Sequence, residues 1–229
     1  MALYAIGDLH LSLGADKPMD VFGSRWEGYM DKLRQGLSVI TAEDTTVLLG
    51  DLSWAMSLQE AEPDFAFMAA IPGRKIILKG NHDYWWTTAN KFYTFCREKG
   101  FENLWILNNN CYFYEDTALC GTRGWFFEAD RSAQHDEKVY QRELMRLETS
   151  LRAAGEHEKI CFLHYPPLYR GYECPGVLEL LERYGVSQCI YGHLHSDSHK
   201  LAITGDKNGI FYRLAAADYT DFRPILLKP

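Results

Sequence analysis

Short apolar runs rich in β-branched and aromatic residues punctuate the chain. They predict strands at residues 3–7, 46–50, 75–79, 104–107, 111–114, 118–121, 159–163, 188–191 and 209–214. Helical patterns fill several of the gaps. Ser57-Leu58-Gln59-Glu60 has the form of a capping box and predicts a helix running toward Ile71. A second helix is expected over 88–99, closed by Gly100, and a third over about 132–154, where Tyr140, Leu144, Leu147 and Leu151 recur at helical spacing before Gly155. A shorter one, over 175–184, opens on a proline suited to a first turn. Strand–helix alternation followed by adjacent strands predicts a mixed α/β protein with more than one sheet layer.

No internal repeat or Pro/Ser-rich linker divides the 229 residues, so a single domain over 1–229 is expected. No apolar run is long enough to span a bilayer, and the opening Met1-Ala2-Leu3-Tyr4-Ala5-Ile6-Gly7 reads as a buried strand instead of a secretory signal. A soluble, cytoplasmic protein without membrane partners is the expectation. The six cysteines form no C-x-x-C pair and several sit in apolar runs, which predicts reduced thiols packed as small hydrophobes. A formal charge of −7 with no basic block counts against nucleic acid as a partner. It leaves a small phosphorylated substrate open, because bound cations supply positive charge locally.

The candidate chemistry lies in short motifs, each at the end of a predicted strand. Asp8-Leu9-His10 places a carboxylate and an imidazole two residues apart, which in extended backbone project to one side. Gly50-Asp51 puts a carboxylate at a strand tip, although a turn aspartate there is common. Gly80-Asn81-His82-Asp83 combines turn chemistry with a neutral oxygen ligand, a histidine able to reach substrate, and a carboxylate able to orient that histidine. His164 ends an apolar strand before Pro166-Pro167, and Gly192-His193-Leu194-His195 offers two imidazoles after another. Each motif alone has an ordinary structural explanation as a turn, a core histidine or surface decoration. Their recurrence at strand C-termini, where open α/β sheets gather ligands, favours one site. Oxygen and imidazole donors without thiolate suit Mn²⁺, Fe or Zn²⁺ more than a structural zinc site; Mn²⁺ is the first expectation, with Fe or Zn²⁺ as alternatives.

The ordered set Asp-x-His, Gly-Asp, Gly-Asn-His-Asp, His and Gly-His-x-His resembles the calcineurin-like metallophosphoesterase superfamily, with motifs spanning residues 8–195. The resemblance implies a four-layer α/β/β/α sandwich of two mixed sheets flanked by helices, and two divalent metal ions. It implies that Asp8, His10 and His195 hold one ion, that Asn81, His164 and His193 hold the other, and that Asp51 bridges them. His82 is then the proton donor or transition-state stabiliser. Protein Ser/Thr phosphatases of that superfamily carry Gly-Asp-x-x-Asp-Arg-Gly and a Glu after the third-motif histidine. This chain reads Gly50-Asp51-Leu52-Ser53-Trp54-Ala55-Met56 and has Asp83 after His82, which speaks against that subfamily.

The expected activity is hydrolysis of a phosphoric ester by in-line attack of a metal-activated hydroxide, with His82 assisting the leaving group. The alternative is a phosphodiesterase or nucleotide hydrolase on the same centre. A non-catalytic binding module is disfavoured because the full motif set is retained. Among substrate contacts, Arg123 in a Gly-rich loop and Trp54 beside Asp51 are candidates, although a surface arginine and a packing tryptophan explain them as well. Trp85 and Trp86 adjoin the third motif, and Arg25 and Trp26 lie in the segment 11–30, a candidate lid.

Overall fold

The apolar runs pair into two large mixed sheets flanked by helices. They are seen in a computed structural model that describes residues 1–125 and 133–229. The described chain divides into two compact units, one of residues 1–106 with 215–229 and the other of residues 107–214.

The first unit holds strands β1 (Leu3–Ile6), β2 (Thr45–Leu48), β3 (Arg74–Ile77) and β4 (Leu104–Ile106), joined in that order by helices α1 (Tyr29–Leu37), α2 (Glu62–Ala70) and α3 (Ala89–Lys99). Each adjacent pair is parallel, as a helical crossover requires. The last strand of the chain, Ile225–Lys228, returns antiparallel along the free side of β1. Ile6, Leu48, Ile77 and Ile106 from the strands pack with Leu33, Phe65, Met68 and Phe92 from the helices in one buried cluster. Trp26 belongs to it, 2% exposed and edge-on to Phe222 at 5.3 Å. Its burial removes 150–250 Å² class surface from water, so this residue of the 11–30 segment is an anchor of the core.

The second unit holds β5 (Tyr112–Tyr114), β6 (Thr117–Thr122), α4 (Ala133–Ala153), β7 (Glu158–Leu163), the hairpin β8 (Leu168–Tyr169) and β9 (Tyr172–Glu173), α5 (Pro175–Arg183), β10 (Val186–Tyr191), β11 (Gly205–Lys207) and β12 (Ile210–Leu214). Its six-stranded sheet runs β11-β12-β10-β7-β6-β5, with the four inner strands parallel and the two edges antiparallel. Leu147 and Leu151 of α4 are fully buried. The same helix face carries Ser150, whose hydroxyl accepts the Gly121 amide at 2.9 Å, and Glu143, which accepts the Thr122 hydroxyl at 2.8 Å. These polar pairs tie the helix to β6 at a fixed height.

Helix ends follow the local rules. Thr88 caps α3, accepting the Lys91 amide, and Gly100 closes it in the left-handed conformation. The capping-box partners near Ser57 meet: the Ser57 hydroxyl accepts the Glu60 amide at 3.2 Å and Glu60 accepts the Met56 amide at 2.8 Å. They close a turn, however, and regular helix begins only at Glu62, with Pro63 in its first turn. The third expected helix is present as α4; Ser132, its expected first residue, lies outside the described residues. No helix among the described residues is long and apolar enough to cross a membrane.

The six cysteines are free thiols, five buried and Cys111 half-buried. Cys120, Cys161 and Cys189 stand in register on the neighbouring strands β6, β7 and β10. Burial pushes the thiols up, Cys96 to about 12, and Cys111, Cys120, Cys161 and Cys174 in the same direction. Thiolate is the reactive form. Because Cys111 is partly exposed and the other five are buried, a thiol-reactive chromogen should reach Cys111 first in the native protein and the other five only after denaturation. Fast reaction at several sites in the folded protein would contradict this packing.

Candidate metal centre

In the first unit the loops after β1, β2 and β3 are laced together. The Asp8, His10 and Leu11 amides donate to the carbonyls of Gly50, Asp51 and Leu52, each at 2.9 Å, and the Trp54 amide donates back to Leu11 at 2.9 Å. Because β1–β3 are parallel neighbours, their C-terminal ends lie on one edge, and Asp8, His10, Asp51, Asn81 and His82 all follow that edge.

The route by which Asp8 and His10 converge differs from the sequence expectation. Regular strand stops at Ile6, and Asp8 and His10 adopt φ of 58° and 46°, in the left-handed region. It is this turn, and not extended alternation, that brings a donor atom of each within 4.8 Å of the other. Asp51 is held the same way, at φ 50°. Its Oδ2 lies 3.9 Å from His10 Nε2, and its Oδ1 accepts the His82 amide at 2.7 Å. Residues other than glycine in this region cost of order 1 kcal/mol or more each, so three strained residues side by side need a rigid frame.

Asp83 supplies that frame. Its carboxylate is fully buried and accepts the amides of Gly80 (2.6 Å), Asp51 (2.9 Å) and Leu52 (2.9 Å), the more distant Ser53 amide (3.4 Å) and the Trp85 indole N–H (2.9 Å). These bonds tie the loop after β3 to the loop after β2. The two backbones touch because both sides are glycine: a Cβ on Gly50 would sit 2.5 Å from the Gly80 nitrogen, and one on Gly80 would sit 2.1 Å from Asp51 Oδ1. Behind the loops, buried Asp64 accepts the Ser53 hydroxyl and, at 2.8 Å, the Leu13 amide. Burial raises its pKa, against the lowering effect of those bonds.

The Trp54 indole stacks on His10 (ring centres 4.9 Å apart, 24° between planes) and also meets His82 at 4.5 Å. Lys17 Nζ lies 3.1 Å from the indole ring centre, and the Trp54 N–H points at Met19 Sδ, 3.0 Å away. Sequence reasoning singled out neither Lys17 nor Tyr84, whose hydroxyl is 3.4 Å from His82 Nδ1. A lysine in an irregular segment and a tyrosine beside two tryptophans carry no periodic signal that could have marked them.

The second unit repeats the logic on its own sheet. Arg123, His164 and His193 follow β6, β7 and β10, again parallel neighbours. The amides of His164 and Tyr165 donate to the Arg123 carbonyl at 3.1 and 2.9 Å, and the Gly192 amide donates to the His164 carbonyl at 3.1 Å. His164 is fully buried; His193 is left-handed at φ 71°. Their ring centres are 5.2 Å apart, and Tyr165 packs against His193 at 4.6 Å. His195 is half-buried, and its carbonyl accepts the Ser198 amide and hydroxyl at 2.9 and 2.6 Å. The Arg123 guanidinium lies 3.7 Å from buried Glu143 and over Trp125 at 5.1 Å, so part of its charge already serves the protein. Arg25 donates to the Asp218 carbonyl at 3.3 Å, beside the core anchor Trp26.

The donor set fits divalent cations. In the first unit, Asp8 and Asp51 are at most 1% exposed and both approach His10. Buried carboxylates in such company are costly without positive charge beside them. The remaining donors are an amide oxygen and imidazoles, without the thiolates of a structural zinc site.

A model of the calcineurin-like phosphoesterase family matches residues 1–197. A search of curated proteins found no match. Solved structures of similar fold include the protein of unknown function AQ665 from Aquifex aeolicus, 18% identical, covering 98% of this chain and 95% of that one with a TM-score of 0.53. Another is TT1561 of Thermus thermophilus, 11% identical, covering 99% and 97% with a TM-score of 0.52. Identities this low speak to fold alone. The family match, the sheet architecture and the strained donor residues at the strand ends agree: the chain belongs to the calcineurin-like phosphoesterase family.

Proposed function

We propose that this metal-dependent phosphoesterase uses two divalent cations, Mn²⁺ foremost, to hydrolyse a small phosphorylated substrate. The observation that carries the reading is conformational. Asp8, His10, Asp51 and His193, all ligands under the family resemblance, are four of the ten non-glycine residues at positive φ among the described residues, and backbone strain of this kind tends to cluster at functional sites. In this reading Asp8, His10 and His195 would hold one cation and Asn81, His164 and His193 the other, with Asp51 contributing to both. Bound cations would neutralise charge on phosphoryl oxygens and lower the pKa of water from ~16 to roughly 7.

The chain's own groups do the rest. His82 is the proton donor to the leaving oxygen; Tyr84, at 3.4 Å from Nδ1, and Trp54, against the ring, limit how the imidazole turns. Asp83 is a positioning residue: by fixing the amides of Asp51 and Gly80 it sets where the Asp51 carboxylate and the Asn81–His82 turn stand. Trp54 and Arg123 remain candidate substrate contacts, Trp54 as the wall between two histidines and Arg123 by whatever charge Glu143 leaves uncompensated.

Purified protein stripped with chelator should regain hydrolysis of a chromogenic phosphomonoester on adding Mn²⁺, and a bis-ester assayed in parallel should turn over more slowly. A clear preference for the bis-ester would replace the monoester reading with the diesterase one. His82→Ala should keep its bound metal while kcat falls by about 10²–10⁴, whereas Asp51→Ala should lose metal and turnover together. His82→Ala at the wild-type rate would remove His82 from the mechanism. Asp83→Ala leaves several buried amides without their acceptor and should lower folding stability by about 3 kcal/mol or more. Metal affinity should fall in parallel, and Asp83→Asn should recover part of both; unchanged metal affinity in a destabilised Asp83→Ala would reduce Asp83 to a purely structural role.

A further inference from the structure

The residues after His82 build more than a turn. Tyr84, Trp85 and Trp86 form one side of a cavity of about 630 Å³ within the first unit, completed by Met56 and Gln59 before α2 and by Asn90 on the first turn of α3. A space of that size matches a nucleoside-sized group. Two observations connect it to the candidate site. Tyr84 lines it and also places its hydroxyl 3.4 Å from His82 Nδ1. Trp85 lines it from a buried position and donates its indole N–H to the Asp83 carboxylate.

The lining chemistry is selective. Tyr84 is exposed and Trp86 half-buried, packed against the core and beside Trp85 at 5.3 Å, so part of each aromatic surface is accessible to a ligand, while Gln59 and Asn90 offer uncharged donors and acceptors. The charged side chains of the lining, Lys91 and Glu98, are of opposite sign. A second phosphate finds no net positive charge here, and a bare alkyl chain would leave the amides unanswered. A flat, neutral group with hydrogen-bonding edges satisfies both the faces and the amides.

We infer that the cavity bounded by Tyr84, Trp86 and Asn90 binds the nucleobase of a nucleotide substrate, with the phosphate presented on the His82 side of Tyr84. This rests on the hydrolase reading above and names its substrate class. Trp86 supplies the stacking face and Asn90 a bonding edge; Tyr84 separates base from phosphate.

The test is equilibrium binding of adenosine, and of ribose 5-phosphate as the base-free control, to metal-free protein by titration calorimetry. Adenosine should bind and the control should not. Trp86→Ala should weaken adenosine by about tenfold or more, as loss of a base-stacking ring does, and Trp86→Phe should restore most of it. Asn90 is exposed, so Asn90→Leu spares the fold and should cost several-fold even if Trp86→Ala proves unstable. Adenosine without measurable affinity, or affinity unchanged in both Asn90→Leu and a folded Trp86→Ala, would overturn the inference; where Trp86→Ala does not fold, unchanged affinity in Asn90→Leu alone would do so. Since no metal or turnover enters this measurement, its failure is separable from failure of the hydrolase reading, which is decided by the base-free chromogenic ester.

Discussion

One buried carboxylate holds the first unit's site together. Asp83 accepts the amides of residues that follow two different strands, Asp51 and Leu52 after β2 and Gly80 after β3. A carboxylate at zero exposure is costly to bury. Here the cost is met by backbone N–H groups and an indole, and charge-assisted bonds of this sort are worth about 1.5–3 kcal/mol each. The exchange has a structural product. Two loops that would otherwise be independent become one surface, and the glycines at 50 and 80 remove the side chains that would keep them apart.

That frame explains how left-handed backbone survives at Asp8, His10 and Asp51. Each would relax toward the α or β region if its neighbours allowed it. The ladder of amides from 8, 10 and 11 onto the carbonyls of 50, 51 and 52 does not allow it. The strain is local, and the bonds that hold it are spread over three strand ends. The second unit uses main-chain bonds of the same kind: the Arg123 carbonyl receives two successive amides, and the His164 carbonyl receives Gly192, while the rings of His164, Tyr165 and left-handed His193 pack on one another.

Much of this was legible in the sequence. The strands with their C-terminal motifs were visible because buried parallel strands read as apolar runs and the motif residues interrupt them abruptly. α3 and α4 were visible from caps and periodicity. What escaped was information the chain stores in tertiary contacts. α1 is preceded by Gly28, which provides no side-chain cap, so nothing local announces the helix, and the closing strand Ile225–Lys228 is defined by its pairing with β1. The turn that joins Asp8 to His10 was read as extended because two-residue spacing is compatible with both geometries. Trp26 sits in a stretch of irregular polar sequence, and its contact with Phe222, far along the chain, is tertiary information that no local pattern carries. Asp83 was legible as a carboxylate beside a histidine, but the amides it accepts come from residues some thirty positions away, and no pattern marks an acceptor for distant backbone.

Trp85 carries the argument one step further. Its ring packs edge-on to Phe65 at 4.8 Å inside the core, its N–H bonds to Asp83, and its remaining surface lines the cavity beyond Tyr84. A single rigid side chain therefore links the hydrophobic core, the carboxylate that positions Asp51, and the space offered to a ligand. A tryptophan has two side-chain torsions to fix, so pinning both ends of the indole leaves it little freedom. Anything that shifts the indole must move the acceptor of the Asp51 and Gly80 amides with it. Core packing thus supports the Asp83 carboxylate that places Asp51 and the Asn81–His82 turn. It does so alongside the amides Asp83 accepts and the ladder onto the loop after β2, which is part of how a loop rich in glycine and left-handed backbone can present its donors from fixed positions.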